Sequence, residues 1–220
     1  MHNILVIPDI HAPFQVSGII PFLKKQIKKH KINKVVFSGD LLDFYILSQY
    51  AKHPEAMNIQ QELDAAKSFI KELAKLIPDA LVCVGNHEQR LAKCAAEANF
   101  TKSFVADLPQ LLETPKGWKF ADSFTIDNIL FYHGDGSSGR QAAFKLLERY
   151  RRNVVIGHLH GQASIVYLNN GTTTNWACVS GCLVDVNSYA MAYSKHCGDK
   201  PVIGVTVIIK GVPQFVPMPL

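Results

Sequence analysis

The sequence lacks the features of a secreted, membrane-spanning or zinc-ribbon protein. Its five cysteines form an odd set without a Cys-x-x-Cys pair, which argues against a disulfide framework and a structural zinc site and predicts reduced thiols. No apolar run approaches the roughly 18 residues that a bilayer-spanning helix needs. The chain enters an apolar run directly after Asn3, without the basic segment and cleavage site of a signal peptide. We therefore expect a cytoplasmic protein that does not associate with membranes.

Internal repeats, low-complexity tracts and linker-like segments are also missing, so residues 1–220 are expected to form a single domain. That length is sufficient to bury a core without disulfides. The net charge of +5 is mild, and its main concentration, residues 24–31, lies on the polar side of an amphipathic helical segment. Because no tract interleaves basic and aromatic residues, nucleic acid is a possible partner but not the favoured one.

The first 85 residues alternate between short apolar runs and amphipathic helical segments. Strands are predicted near 3–8, 34–38 and 80–84, and helices near 17–31 and 58–77. This alternation predicts a mainly parallel sheet with right-handed crossovers. For the rest of the chain we predict a helix over 88–113, strands at 118–120 and 123–133, a helix from 137 to about 150, and mostly strands from 153 onward.

Side chains of metal-binding type follow five of the apolar runs. The five segments are Pro8-Asp9-Ile10-His11, Gly39-Asp40-Leu41-Leu42-Asp43, Gly85-Asn86-His87-Glu88, His133-Gly134 and Gly157-His158-Leu159-His160. Carboxylate oxygen, amide oxygen and imidazole nitrogen are the ligands of hard to borderline divalent cations. Open α/β sheets place their ligands at the carboxyl ends of strands, so five such coincidences predict a metal centre there.

Two pairs within these segments have matching spacing. Asp9 and His11 are two residues apart, so an extended backbone would direct both side chains to one side, where they can bind one metal. His158 and His160 repeat this spacing. A single histidine is more often a packed or surface residue than a ligand, and the prediction therefore depends on the whole set.

Three further residues complete a set suited to two metals. Asp40 has a carboxylate that can bridge two cations, Asn86 has a neutral amide oxygen, and His133 has another imidazole. Two cations about 3.5–4 Å apart form a clamp used in phosphate-ester chemistry. Their charge outweighs that of Asp9 and Asp40, so the site would attract a phosphate anion. Taken singly, Asp43 is typical of a helix N-cap and Asn86 of a turn.

The ordered set of motifs resembles the calcineurin-like metallophosphoesterase superfamily over residues 8–160. The resemblance implies a four-layer α/β/β/α sandwich of two mixed sheets flanked by helices, and in-line attack on phosphorus by metal-bound hydroxide without a phosphoenzyme. The ligands that it implies are Asp9, His11 and His160 for one metal, Asp40 as the bridge, and Asn86, His133 and His158 for the other. Mn²⁺ is the favoured ion of the two divalent sites, although Fe, Zn, Ni or Co could occupy the same ligands.

The same resemblance implies two catalytic residues. His87 matches the residue that protonates the leaving oxygen or stabilises its charge. Asp43 matches the carboxylate that, in part of the family, pairs with this histidine and raises its basicity.

The sequence departs from the family pattern at the positions of the phosphate-binding arginines. Protein Ser/Thr phosphatases carry two arginines that bind the phosphate dianion, whereas this chain has Phe44-Tyr45 and Val84 at those places. Arg90 and Arg140 are candidate substitutes. Fewer arginines suit the single charge of a phosphodiester, so we predict a phosphodiesterase acting on a nucleotide or small diester. The alternatives are a phosphomonoesterase of broad specificity, a nuclease, or a non-catalytic binding scaffold.

Aromatic residues in the segments after the metal motifs are candidates for the rim of the pocket: Phe14, Tyr45, Tyr50 and His53. The segment 176–193, which includes Tyr189, is a candidate pocket wall. Core packing is the alternative explanation for all of them.

Overall fold

The computed structural model describes residues 1–196 and 198–219, without the side chains of residues 102 and 193–196. Within these residues the strands are β1 (Ile4–Ile7), β2 (Lys34–Phe37), β3 (Asp79–Cys83), β4 (Gly117–Ala121), β5 (Ser123–Ile126), β6 (Ile129–Tyr132), β7 (Asn153–Ile156), β8 (Ala163–Asn169), β9 (Thr174–Ser180), β10 (Gly204–Ile209) and β11 (Val212–Pro217). The α-helices are α1 (Ile19–His30), α2 (Ile59–Leu76), α3 (Arg90–Glu97), α4 (Leu108–Leu111) and α5 (Ala142–Tyr150). Short 3₁₀ helices span Tyr45–Leu47, Lys102–Phe104 and Tyr189–His196.

The strands form two mixed sheets. One has the order β11-β10-β1-β2-β3-β4, in which β1 to β4 run parallel and β10 pairs antiparallel with β1. The other has the order β5-β6-β7-β9-β8, with β6, β7 and β9 parallel to one another. The predicted β-α-β-α-β start and the strand-rich part after residue 153 are confirmed.

Alternating side chains of the central strand β1 explain how the layers pack. All four residues are buried, as expected for a strand that is covered on both faces. Leu5 and Ile7 face the cluster that contains residues of α1 and α2, whereas Ile4 and Val6 face the other sheet. Helix α5 packs on the outer face of the second sheet. The structure is therefore the expected four-layer α/β/β/α sandwich.

The predicted helix over 88–113 is wrong in its extent. Helix α3 ends at Glu97, and Asn99 follows with a left-handed backbone (φ 61°), a conformation that commonly ends helices. Helix α4 is a separate single turn with Pro109 in its first turn, where the missing N–H costs nothing. None of the described helices combines the length and apolar character that a membrane span needs.

Four cysteines have free thiols, namely Cys83, Cys94, Cys178 and Cys182. The fifth, Cys197, lies outside the described residues. Burial raises the pKa of the Cys83 and Cys178 thiols to about 12, so these two groups behave as small apolar side chains.

Candidate metal centre

The loops that carry the five motifs meet at one edge of the sandwich. Three of them follow β1, β2 and β3, which are neighbours in the first sheet, and two follow β6 and β7, which are neighbours in the second. Because these strands are parallel within each sheet, their carboxyl ends lie at a common edge. The structure brings all seven predicted metal ligands together there.

One group of ligand-type atoms consists of Asp9, His11 and His160. One atom from each lies within 4.8 Å of the other two. His160 Nε2 is 3.6 Å from Asp9 Oδ1 and 3.0 Å from His11 Nε2. Asp9 and His11 are fully or almost fully buried.

A second group consists of Asp40, His133 and His158, with Asn86 beside it. His133 Nε2 lies 3.2 Å from Asp40 Oδ2, 3.1 Å from His158 Nδ1 and 2.9 Å from Asn86 Oδ1. His158 and His160 therefore belong to different groups, despite their matching spacing with Asp9 and His11.

Asp40 lies between the two groups. Its Oδ2 is 3.8 Å from His11 Nε2 in the first group and 3.2 Å from His133 Nε2 in the second. The other oxygen, Oδ1, accepts a hydrogen bond from the backbone N–H of His87. This is the position that a bridging carboxylate would take.

The extended-backbone explanation for the paired ligands is wrong. Strand β1 ends at Ile7, and Asp9 and His11 have left-handed conformations with φ of 34° and 53°. Asp40 and His158 also have positive φ, 49° and 66°. Such residues cost about 1–3 kcal/mol each and persist only where the surroundings determine them, typically at functional sites.

Two motif glycines make room for the acidic side chains. A Cβ at Gly85 would overlap the carboxylate of Asp40, and a Cβ at Gly157 would overlap that of Asp9. The Asp9 carboxylate also accepts from the backbone N–H of His158 at 2.9 Å. These close approaches explain why glycine precedes both Asn86 and His158.

Hydrogen bonds on the outer side of two imidazoles fix their orientation. His11 Nδ1 lies 2.9 Å from Asp43 Oδ2, and His133 Nδ1 lies 3.0 Å from the carbonyl oxygen of Ser38. With each Nδ1–H donating to its acceptor, the Nε2 atoms are directed inward. This outer bond is what normally orients a histidine that binds metal.

The electrostatics of the site favour positive charge at its centre. Burial opposes protonation of His133, but the charge and hydrogen bond of Asp40 outweigh it and raise the pKa of His133 to about 10. The pKa of His11 is also raised, because the Asp43 bond and the nearby carboxylates outweigh burial. Burial would raise the pKa of Asp40, yet the imidazoles of His87 and His133 hold it well below its usual range.

The residues present fit divalent cations. His133 Nε2 faces three electron-rich atoms within 3.2 Å, from Asp40, Asn86 and His158, and a cation that displaced its proton would meet all four atoms. Such a convergence of electron-rich atoms favours positive charge, either a proton on His133 or a metal ion. The mixed oxygen and nitrogen set suits Mn²⁺, Fe, Zn, Ni or Co.

Comparison with known families agrees with this chemistry. The model of the calcineurin-like phosphoesterase family matches residues 2–185. The chain belongs to this family. No curated protein sequence matches it significantly. Calcineurin-like phosphoesterases act on phosphate esters with divalent metals, so a metal centre at this edge agrees with the family.

Solved structures that align with most of this chain have little sequence in common with it. Vacuolar protein sorting 29 from Cryptosporidium parvum is 12% identical, with a TM-score of 0.47 and coverage of 98% of this chain and 97% of that chain. The Pseudomonas putida nuclease MPE is 12% identical, with a TM-score of 0.43 and coverage of 98% and 86%. The Escherichia coli phosphoesterase Yfce is 11% identical, with a TM-score of 0.47 and coverage of 98% and 92%.

The expected pairing of the Asp43 carboxylate with the His87 ring is absent from the structure. The Asp43 carboxylate bonds His11, and its Oδ1 is 3.8 Å from His87 Nδ1, too far for a hydrogen bond. His87 Nδ1 instead lies 2.8 Å from the backbone carbonyl of Asp43. The bridge between Ala12 and Leu42 brings the Asp43 loop against the His11 loop, which explains this choice of partner. Asp43 is also not a helix N-cap, since Phe44 precedes the 3₁₀ turn.

We expect Asp43→Ala to weaken Mn²⁺ binding by about 10–100-fold, the usual effect of losing a carboxylate that orients a metal-binding histidine. Isothermal titration calorimetry on the stripped protein measures this. Asp43→Asn, which keeps an acceptor for His11 Nδ1–H, should bind more tightly than the alanine variant. Unchanged Mn²⁺ affinity combined with lower turnover would instead mean that Asp43 acts through His87 and not through His11.

Glu88 is a residue whose role the sequence analysis missed. It is 3% exposed, and its carboxylate accepts hydrogen bonds from the backbone N–H groups of Gly85, Asp40 and Leu42. It therefore joins the loops after β2 and β3 directly beneath the centre. Burial raises the pKa of Glu88 to about 7, and the charge of Asp40 adds to this. Its place in the Gly-Asn-His-Glu segment was the available signal.

We expect Glu88→Ala to lower the free energy of unfolding by about 3 kcal/mol or more, because three buried N–H groups would lose their acceptor. Chemical denaturation of the metal-free protein measures this. Glu72→Ala, at an exposed position of α2, is the control and should stay within about 0.5 kcal/mol of the parent. A loss no larger than that of the control would contradict the structural role.

Proposed function

We propose that this protein is a dinuclear metal-dependent phosphodiesterase that hydrolyses a nucleotide or another small diester. The observation that carries the proposal is the position of Asp40 Oδ2 between two inward imidazole nitrogens, His11 Nε2 at 3.8 Å and His133 Nε2 at 3.2 Å. Each of these rings is oriented by an acceptor on its Nδ1. Membership of the calcineurin-like phosphoesterase family supports the reaction class.

The roles of the ligands follow the two groups. Asp9, His11 and His160 would hold one ion; Asn86, His133 and His158 would hold the other, with Asp40 shared. When bound, the two ions supply positive charge that polarises the phosphoryl group and acidifies water. Asp40 keeps its carboxylate ionised for this purpose, because nearby imidazoles hold its pKa well below the usual range even though burial opposes them.

His87 would act at the leaving oxygen. Its ring lies beside Asp40, with Nε2 3.8 Å from Asp40 Oδ2, and is directed by the Asp43 carbonyl on Nδ1. Arg90 Nη2 lies 3.0 Å from His87 Nε2, and its Nη1 donates to the carbonyl of Asp43 at 2.8 Å. Arg90 thus fixes the ring and carries a positive charge at the same edge of the cleft.

The charges around the cleft favour a diester. The Arg90 guanidinium is shared with the Asp43 carboxylate, and the other lining arginine, Arg140, is 84% exposed and paired with Asp199. Neither arginine is a free cation placed to bind a phosphate dianion. A diester, with a single negative charge, needs less neutralisation. The closeness of Arg90 to His87 is the observation that supports the alternative, a phosphomonoesterase.

Hydrolysis of two chromogenic esters tests the proposal. We expect chelator-stripped protein to be inactive, and added Mn²⁺ to restore turnover with higher kcat/KM for bis-p-nitrophenyl phosphate than for p-nitrophenyl phosphate. Metal analysis of the reloaded protein should give two ions per chain. A preference for the monoester would overturn the diester assignment, and failure to bind metal would overturn the proposal as a whole.

A further inference from the structure

The cleft over the candidate metal centre has two lobes, one on each side of Asn86 and His87. The lobe on the Arg140 side has a volume of about 620 Å³ and includes Gln162. The opposite lobe, of about 440 Å³, is bordered by Tyr45, Tyr50 and Tyr189, and we call it the tyrosine lobe. A diester has two substituents on its phosphorus, and a lobe on each side of the reacting centre can take one substituent each.

The inner wall of the tyrosine lobe is held in place by hydrogen bonds. The hydroxyl of Tyr45 accepts from the backbone N–H of His53 at 2.9 Å, and that of Tyr189 accepts from the N–H of Met57 at 3.2 Å. The two rings meet edge to face with centroids 5.1 Å apart. A wall fixed in this way loses little conformational freedom when a ligand binds.

A buried carboxylate fixes the same wall from behind. Glu62 on α2 is 2% exposed and accepts from the backbone N–H groups of Tyr45 and Ile46 at 2.7 and 3.2 Å. It thereby satisfies the first donors of the 3₁₀ turn. Phe14 supports Tyr189 from within the core, with ring centroids 5.0 Å apart. Of the aromatic candidates, Phe14 is thus a packing residue, whereas Tyr45 and Tyr189 line the lobe.

Tyr50 completes the lobe at its outer edge. The residue borders the cavity and is 80% exposed, so its ring is available to a ligand. An aromatic ring beside a reacting phosphate is suited to stacking with a planar base, an interaction that tolerates any base because every base has a π-face. The Arg90 guanidinium on the same lobe adds a second planar group.

We propose that the tyrosine lobe is the subsite for the nucleobase of a nucleoside phosphodiester, with Tyr50 as its stacking residue. This inference rests on the proposed phosphodiesterase function and narrows its substrate from any small diester to one that carries a nucleobase. The phosphate would lie over the metal centre, and the second substituent would lie in the lobe that contains Gln162.

Two diesters with the same charge and the same leaving group test the subsite. Thymidine 5′-(p-nitrophenyl phosphate) carries a nucleobase, whereas methyl p-nitrophenyl phosphate does not. With Mn²⁺-loaded protein we expect Tyr50→Ala to lower kcat/KM about 5–100-fold for the thymidine ester, mainly through KM, and less than about twofold for the methyl ester. Tyr50→Phe should keep both values. Tyr167→Ala, at a half-exposed tyrosine of β8, is the control for loss of a surface ring.

A binding experiment separates failure of the subsite from failure of the proposed function. Calorimetry compares thymidine 5′-methyl phosphate with dimethyl phosphate, and needs no turnover. Tyr50-dependent binding of the thymidine ester would support the subsite even in a protein that hydrolysed neither substrate, an outcome that would overturn only the proposed function. Equal losses on both substrates, or none on either, would overturn the subsite, as would wild-type protein that bound the two diesters equally.

Discussion

Asp40→Ala is expected to lower turnover of bis-p-nitrophenyl phosphate by about 10³-fold or more and to reduce the metal content of the protein. The Asp40 carboxylate lies between the two groups of ligands, so its loss removes a ligand from both. Metal ions supply several kcal/mol of transition-state stabilisation, and each 1.36 kcal/mol corresponds to a factor of ten. The hydrogen bond from the His87 backbone N–H to Asp40 Oδ1 would be lost as well.

Metal analysis and kinetics on the same sample measure this effect. Asp127→Ala, which removes a partly exposed carboxylate at the turn between β5 and β6, is the control and should retain wild-type turnover and metal. Thermal unfolding with and without Mn²⁺ adds a test of binding, since a ligand of the folded state raises Tm. We expect this rise in the wild type and in Asp127→Ala, and a smaller one in Asp40→Ala. Unchanged turnover and metal stoichiometry would exclude the bridging role.

The sequence predicted correctly those parts of the fold that are encoded in short stretches of sequence. The buried strand β1 is a continuous apolar run, and the amphipathic spacing of α2 identifies its inner face, with Ala66, Ile70 and Leu73 buried. Polar residues directly after such runs show where the strands end. Since parallel strands end at one edge, the ligand types after these strands predicted a metal site there, whereas the assignment of ligands to two metals came from the family resemblance.

The backbone conformation of the ligands could not be predicted in the same way. Asp9, His11 and His158 have positive φ, which single residues of these types seldom adopt without support from the surrounding fold. As a result, equal sequence spacing did not give equal geometry, and His158 and His160 lie in different groups. The partner of Asp43 depends in turn on how the loops after β1 and β2 meet, which is a tertiary contact without a local signal.

His87→Ala is expected to retain metal and to lower turnover by about 10²–10⁴-fold, the range for loss of a group that transfers a proton. His87 forms a further group of ligand-type atoms with His11 and Asp40, but it is not one of the seven proposed ligands. Its Nδ1 bonds the Asp43 carbonyl, so its removal leaves those seven side chains in place. Steady-state kinetics with metal analysis measures the effect. His30→Ala, at the end of α1, is the control for loss of an imidazole away from the cleft.

The dependence on the leaving group decides what His87 does. Burial lowers the pKa of His87 to about 4, and its Nε2 accepts a hydrogen bond from Arg90, so the ring is neutral before substrate binds. To assist the leaving oxygen, the ring must therefore first take up a proton or orient another proton donor. A poor leaving group needs that proton more than a good one. The loss in His87→Ala should therefore be larger for methyl phenyl phosphate than for methyl p-nitrophenyl phosphate. Equal losses on both esters would exclude proton transfer and leave His87, with Arg90, as a group that positions the substrate.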